Sequence, residues 1–393
     1  MTTNLQSWQR STIRNQMARY RRAQEDYYVS GKPLVTFDDG AQAFSLVSPP
    51  LGSPAARRRV RRIVDTMART GASSQALAIR TPHVATVAVT YACQCACAHC
   101  SAVDYERRTS RAGTSLTTPE LADTIVQAVD LGATCVILTG GEPLLFGGVC
   151  DLVASVDRSR SVCTMFTNGE LLTADTVAGL KTAGLFGVFV SLDHADARSH
   201  DAHRRRPGLW LKATDGLKRC QEAGILTGIS TYVTREKLSS GEMDQMMDVA
   251  RALDVLEVFL FDVIPTGRLN GQRDCLLTDR EAEQIVEFRR MYTSRPDYPR
   301  IVHQTMFASI AYPCVAEGCP AAMVQLHVRA NGDVSPCDFT PCSFGNVRER
   351  PLKEIWDTMA ASALYAQPSA RCRLSRPDFW VQLDNVGRVT SSS

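Results

Sequence analysis

His83-Val84-Ala85-Thr86-Val87-Ala88-Val89-Thr90-Tyr91 is an apolar run of strand length, and it opens almost at once into Cys93-Gln94-Cys95-Ala96-Cys97-Ala98-His99-Cys100. The next apolar run, 134–139, opens in the same way into Gly140-Gly141-Glu142-Pro143. Further runs follow at 161–167, 186–192, 225–233 and 255–264, separated by helical stretches near 118–131, 147–157, 172–184, 210–223 and 240–253. Six strands alternating with helices predict an α/β fold on a parallel sheet, open or curved into a partial (β/α)6 barrel. In such sheets the residues just past the carboxyl ends of the strands meet at one rim and bind ligands. Both loops stand at that rim.

The chain has 393 residues, 44% hydrophobic and 22% charged, which excludes a disordered chain and suffices for two or three domains. No apolar run approaches the roughly 20 residues that span a bilayer, and no leader pattern opens the chain, so a cytoplasmic location is expected. Fourteen cysteines stand out. In a long chain with a full hydrophobic complement they point to metal or redox chemistry rather than to a disulfide scaffold. Four crowd into residues 93–100 and five fall between Cys314 and Cys372. Cys135, Cys150, Cys163, Cys220 and Cys275 are scattered singly and read as small buried hydrophobes.

Residues 1–82 read as an N-terminal extension: a helical start at 5–28, a short hairpin (34–37 and 43–47) around Asp38-Asp39-Gly40, and an arginine-rich helix to about Ala68. A linker follows at 71–74. Residues 1–80 carry thirteen Lys/Arg against five Asp/Glu, a local excess in a chain of net charge +3. A basic helix can bind nucleic acid or an acidic partner. Without interleaved aromatics, the preferred reading is a solvated face packed over an acidic catalytic domain. The barrel is expected over 83–300. A small cysteine-rich domain follows at 301–393, with a hairpin (325–329 and 334–336) around Asn331-Gly332-Asp333 and a helix from Leu352.

Cys93, Cys97 and Cys100 are spaced so that one loop can wrap three thiolates around one centre. Soft thiolates select Fe–S, Zn or Cu(I). A structural zinc would want a fourth ligand, for which Cys95 is at hand, whereas three cysteines on a [4Fe–4S] cluster leave one iron open. Spacing alone keeps both readings. The second strand decides, because Gly140 and Gly141 let backbone approach a ligand closely and the Glu142 carboxylate can pair with an ammonium.

With these two loops in order, residues 86–267 resemble the radical S-adenosylmethionine (radical SAM) family. The resemblance implies a TIM-like partial barrel in which Cys93, Cys97 and Cys100 hold a [4Fe–4S] cluster whose open iron is chelated by S-adenosylmethionine. It implies that Gly140, Gly141 and Glu142, with Pro143 closing the motif, meet the amino group of that cofactor. Asn168, Ser191 and Asp193 would stand at the cofactor rim, and His200, Asp201 and Arg204 match a continuation of the fourth-strand motif. His99 stands where relatives carry an aromatic against the adenine, and Cys95 is extra, expected to point away as a packed thiol.

Cys319, twelve residues, Gly332, four residues and Cys337 resemble the SPASM and twitch domains appended to many radical SAM enzymes. The chain lacks their further cysteine block, so one auxiliary Fe–S cluster, [4Fe–4S] in type, is expected. Cys319, Cys337 and Cys372 are its firmest ligands, Cys342 and Cys314 compete for the fourth place, and an open iron or a zinc ribbon are the alternatives. The reaction implied is reductive cleavage of S-adenosylmethionine to a 5′-deoxyadenosyl radical, which takes hydrogen from a substrate carbon, with flavodoxin or ferredoxin as electron donor. A small metabolite, as in natural-product biosynthesis, is preferred as substrate, with maturation of a ribosomal peptide as the alternative. A non-enzymatic Zn or Fe–S protein binding nucleic acid is the rival from another class. Arg268 is a candidate for a substrate or cofactor anion. His194, His203, Asp262 and Tyr312 are candidate pocket residues, and Cys275 a candidate hydrogen donor.

Overall fold

The computed structural model describes residues 32, 34–70, 80–103, 115–307 and 318–390. The helix expected at 5–28, the linker at 71–74, Tyr312 and Cys314 lie outside the described residues. The N-terminal hairpin is present as β1 (Val35–Thr36) and β2 (Gln42–Ala43), followed by the arginine helix α1 (Pro54–Thr70).

The barrel then alternates β3 (Val84–Thr90), α2 (Thr118–Leu131), β4 (Cys135–Gly140), α3 (Val149–Ala154), β5 (Val162–Thr167), α4 (Ala174–Ala183) and β6 (Gly187–Ser191). It continues through α5 (Ala197–Arg204), α6 (Leu209–Glu222), β7 (Leu226–Val233), α7 (Arg235–Ser240), α8 (Glu242–Ala252) and β8 (Glu257–Asp262). The helix expected near 240–253 is α8, and the short α7 stands before it, separated at Gly241, whose φ of +78 is a left-handed conformation that ends α7 and starts α8.

The chain closes with α9 (Asp279–Thr293), β9 (Arg300–His303), β10 (Gln325–Val328), β11 (Val334–Ser335), α10 (Leu352–Ala361) and α11 (Pro377–Thr390). A single sheet of order β11-β10-β3-β4-β5-β6-β7-β8-β9 holds nine strands, and β3 to β9 are parallel throughout. The six expected strands are β3 to β8. β9 and β10 extend the sheet at either side, each only four residues and rich in polar groups, so an open sheet edge rather than local periodicity makes them strands. Because β10 pairs in parallel with β3, the sheet runs across the expected boundary at 300/301.

Alternation along the strands sends Ala85, Val87, Val136, Leu138, Val188 and Val190 outward under the helices. It sends Val84, Cys135, Ile137, Val162, Phe189 and Phe259 inward. Phe44, Leu46 and Val47 join that inner cluster at the amino ends of the strands, so the N-terminal segment plugs one mouth of the barrel. Its backbone is fastened there: Leu46 N–H donates to Glu257 Oε1 at 2.6 Å and the Ser45 hydroxyl at 3.2 Å. The arginine helix keeps Arg57 and Arg61 exposed and docks on the barrel through Arg58, Arg59 and Arg62. Arg62 donates to the carbonyls of Asp130 (3.1 Å) and Leu131 (2.9 Å) and Arg58 to that of Val129 (3.4 Å), at the negative end of α2. Arg59 is buried and donates to the Ser48 hydroxyl. Among the described residues no helix is long and apolar enough to cross a membrane.

Candidate active site

The plug closes the amino-terminal mouth and leaves the carboxyl rim for chemistry. There the first cysteine loop is held from three sides. Gly141 N–H donates to Thr90 O (2.7 Å) and Glu142 N–H to Ala92 O (2.8 Å), stitching the end of β4 to the start of the loop. A Cβ on Gly140 would lie 2.0 Å from Thr90 O, and one on Gly141 2.4 Å from Ala92 O, so only glycine fits. Ala96 N–H and Ala98 N–H donate to the carbonyls of Arg204 and His203 at the end of α5. Arg268 N–H donates to Cys100 O at 2.9 Å, and a Cβ on Gly267 would meet that same oxygen at 2.2 Å.

The loop so held presents Cys93, Cys97 and Cys100 to one end of a cavity of ≈ 300 Å³, whose other end is lined by Cys319, Cys337 and Cys372. Cys95 also lines it, against the expectation that it points away. Residues 93, 95, 97 and 99 of this non-helical loop share the cavity side, and 94, 96 and 98 do not. Three rings meet beside it: His99 lies 4.2 Å from Tyr232 and 4.9 Å from His203 between centroids, and its Nδ1 is 2.7 Å from His203 Nε2. Burial pushes the His99 ring down to about 3, so the ring is neutral.

At the fourth strand, Ser191 Oγ is 3.0 Å from Ser230 Oγ, and Arg204 Nε donates to Asp193 Oδ2 at 2.7 Å. Burial alone would raise the Asp193 carboxyl, but Arg204, with Lys237 behind it, holds it well below the usual carboxylate range. His200 Nδ1 accepts from Asp193 N–H, and the Asp201 carboxylate accepts from the N–H groups of Gly208 and Trp210 at the start of α6. His200 and Asp201 brace the rim, whereas Ser191, Asp193 and Arg204 line the cavity.

Glu142 corrects an expectation. It is fully buried and absent from the cavity wall, as is Pro143. Its Oε1 accepts from the Thr167 hydroxyl (2.7 Å) and Leu144 N–H (3.1 Å), and its Oε2 accepts from Asn168 N–H (2.8 Å). The carboxylate is a strut between β4 and β5, because the nearest donors are there. Asn168, which it positions, does reach the cavity. Its side chain accepts on Oδ1 from Glu170 N–H, and its buried Nδ2 has no partner among the described residues. Arg268 stands at the cavity beside Cys100. Asp262 lines the cavity, whereas His194, His203 and Cys275 do not; His194 pairs with Glu242 at 2.5 Å.

At the far end burial pushes the Cys337 thiol up to about 12 and the Cys372 thiol well above its ordinary value, and in both the neighbouring cysteines add to it. Three thiols this close in a desolvated place suit a metal centre that takes them as thiolates. Cys342 is not on the cavity wall. It packs, like Cys337 and Cys372, against the hydrophobic core. Sequence reasoning missed the polar wall between the clusters, formed by Thr86, Thr231, Gln304, Gln325, His327 and Asp338. The available signal was strand-end position for Thr231 and adjacency to Cys337 for Asp338.

Residues 87–250 match the model of the radical SAM superfamily, and residues 319–376 match that of the SPASM iron–sulfur cluster-binding domain. The chain belongs to the radical SAM superfamily. It is 29% identical over 286 residues to an AdoMet-dependent heme synthase of Nitratidesulfovibrio vulgaris, covering 68% of this chain and 77% of that one. It is 26% identical to a PqqA peptide cyclase of Rhizobium meliloti, with 74% and 78% covered. Streptococcus suis SuiB bound to S-adenosylmethionine has the same fold, with a TM-score of 0.58 at 17% identity over 79% of this chain and 71% of SuiB.

Membership of the radical SAM superfamily implies a [4Fe–4S] cluster with S-adenosylmethionine, and the SPASM domain implies auxiliary Fe–S binding. The residues present fit both groups. Cys93, Cys97 and Cys100 line the cavity as one group and Cys319, Cys337 and Cys372 as another, the Gly140-Gly141 backbone lies in its wall, and Asn168 offers a buried unpaired donor.

Proposed function

We propose that this radical SAM protein carries out a net oxidation at a C–H centre of a substrate seated between its two cysteine clusters. One observation carries the reading: a single cavity is lined by Cys93, Cys97 and Cys100 at one end and by Cys319, Cys337 and Cys372 at the other. When bound, the first cluster with S-adenosylmethionine supplies a 5′-deoxyadenosyl radical that takes a hydrogen atom, and the auxiliary cluster supplies an acceptor for the remaining electron.

The chain's own residues do the rest. Cys93, Cys97 and Cys100 hold the first cluster, and Asn168 with the Gly140-Gly141 backbone orients the cofactor. The ring stack of His99, Tyr232 and His203 walls that end, and the Asp193–Arg204 pair fixes the rim. Phe166, Phe261 and Phe339 add apolar rings to the cavity wall and exclude water. Cys342 is proposed as the fourth auxiliary ligand, from the core side.

The substrate reading preferred here is a small molecule, for which a cavity of ≈ 300 Å³ suffices. A peptide is the second reading, favoured by the likeness to the PqqA peptide cyclase. Anaerobic reconstitution tests the whole reading. About eight irons per chain and 5′-deoxyadenosine on reduction with S-adenosylmethionine are expected. Cys337→Ser is expected to halve the iron and to abolish substrate oxidation while 5′-deoxyadenosine still forms. Bound zinc with no 5′-deoxyadenosine would overturn it.

A further inference from the structure

Two carboxylates face the cavity at its auxiliary end, and they are supported in the same way. Asp262, the last residue of β8, accepts from His303 Nε2 on Oδ1 (2.9 Å) and from Gln304 Nε2 on Oδ2 (3.0 Å). Asp338, next to Cys337, accepts from the Thr86 hydroxyl (3.0 Å) and Gln325 Nε2 (2.9 Å) on Oδ2, and its Oδ1 lies 3.2 Å from His327 Nδ1, which also meets Thr86 Oγ at 2.8 Å. Their neighbours Phe261 and Phe339 meet edge to face with centroids 6.1 Å apart.

A second observation is independent of charge. Gln304 is a lining residue only 7% exposed; its Nε2 is spent on Asp262, and its buried Oε1 has no partner among the described residues. That end therefore presents three acceptors. The lining arginines are elsewhere: Arg204 is committed to Asp193, and Arg268 stands beside Cys100. Buried acceptors without donors are costly, and buried carboxylates more so, unless a ligand brings positive charge and N–H groups. Aromatic edges and faces beside them suit such a cation.

We propose that the auxiliary end of the cavity binds a cationic nitrogen group of the substrate, an ammonium or guanidinium, held by Asp262, Asp338 and Gln304 Oε1 beside Phe261 and Phe339. This rests on the substrate lying between the two clusters, and it deepens that reading by naming the group that faces the auxiliary cysteines. Such a group sets the orientation: the nitrogen end turns toward Cys319, Cys337 and Cys372, and the carbon that loses hydrogen turns toward Cys93, Cys97 and Cys100.

The test uses the full chain reconstituted with both clusters and reduced. The auxiliary electron paramagnetic resonance signal is titrated with n-butylammonium and methylguanidinium, and with n-butanol and butyrate as neutral and anionic counterparts. Saturable perturbation by the cations alone is expected. Asp262→Asn and Asp338→Asn, each checked for retained iron, should raise the half-saturating concentration about tenfold or more. The wild-type comparison decides by itself if either variant fails to fold. No response to the cations, an equal response to butanol, or a response that survives both variants overturns the proposal. Loss of the auxiliary signal or of 5′-deoxyadenosine in the wild type would instead count against the reading on which it rests.

Discussion

Asp193 and Arg204 show what a single buried pair does for this site. Arg204 is fully enclosed, its carbonyl holds the cysteine loop at Ala96, and its guanidinium has Asp193 as its ion-pair partner. Asp193→Asn leaves that cation uncompensated and is expected to cost about 3–5 kcal/mol of stability, read by chemical denaturation of the holoprotein. Because the Asp193 carboxyl is held low in the folded chain, its contribution is present above the ordinary carboxylate range and is lost as pH falls through and below it. Gly141→Ala meets backbone oxygens at 2.4 and 2.5 Å and is expected to lower bound iron by displacing the loop, with little change in far-UV circular dichroism. At this scale the cysteines and glycines were legible in the sequence, since each is required by chemistry or by space. The direction of Glu142 was not legible, because a carboxylate turns toward whichever donors the next strand brings, and Thr167 and Asn168 arrive only with the fold.

Among elements, the six strands β3 to β8 were legible because both faces are buried and their sequences are near-continuous apolar runs. The plug was not. A polar hairpin and a proline turn carry no periodicity that predicts burial of Phe44 and Leu46 in a barrel mouth. The plug brings a titrating group with it. Glu257, at the start of β8, is fully buried under Ser45 and Leu46, and burial pushes its carboxyl up to about 7. A carboxyl raised in the folded state stabilises fully below its unfolded value of about 4.5, and the benefit is lost as pH rises to about 7. Melting of Glu257→Gln against wild type should therefore show a difference that moves in favour of the variant across that window, approaching about 3 kcal/mol. A difference independent of pH would show that the carboxyl titrates normally.

For the whole molecule, the pairing of β10 with β3 makes the cysteine-rich segment a wall of the barrel rather than an appended unit. A chain ending after His303 would leave β3 as an exposed apolar edge. It is expected to aggregate rather than survive as a one-cluster barrel, which size-exclusion chromatography would show at once. The same pairing places Gln325 and His327 beside Thr86 and so creates the polar end of the cavity. The sequence by itself determined the parallel barrel, the two cysteine sets and the glycine approach, because these follow from residue type and spacing along the chain. Only the tertiary structure decided that both cysteine sets open into one cavity and that Asp262, Gln304 and Asp338 converge there. Those residues lie far apart along the chain, and the closing sheet brings them together.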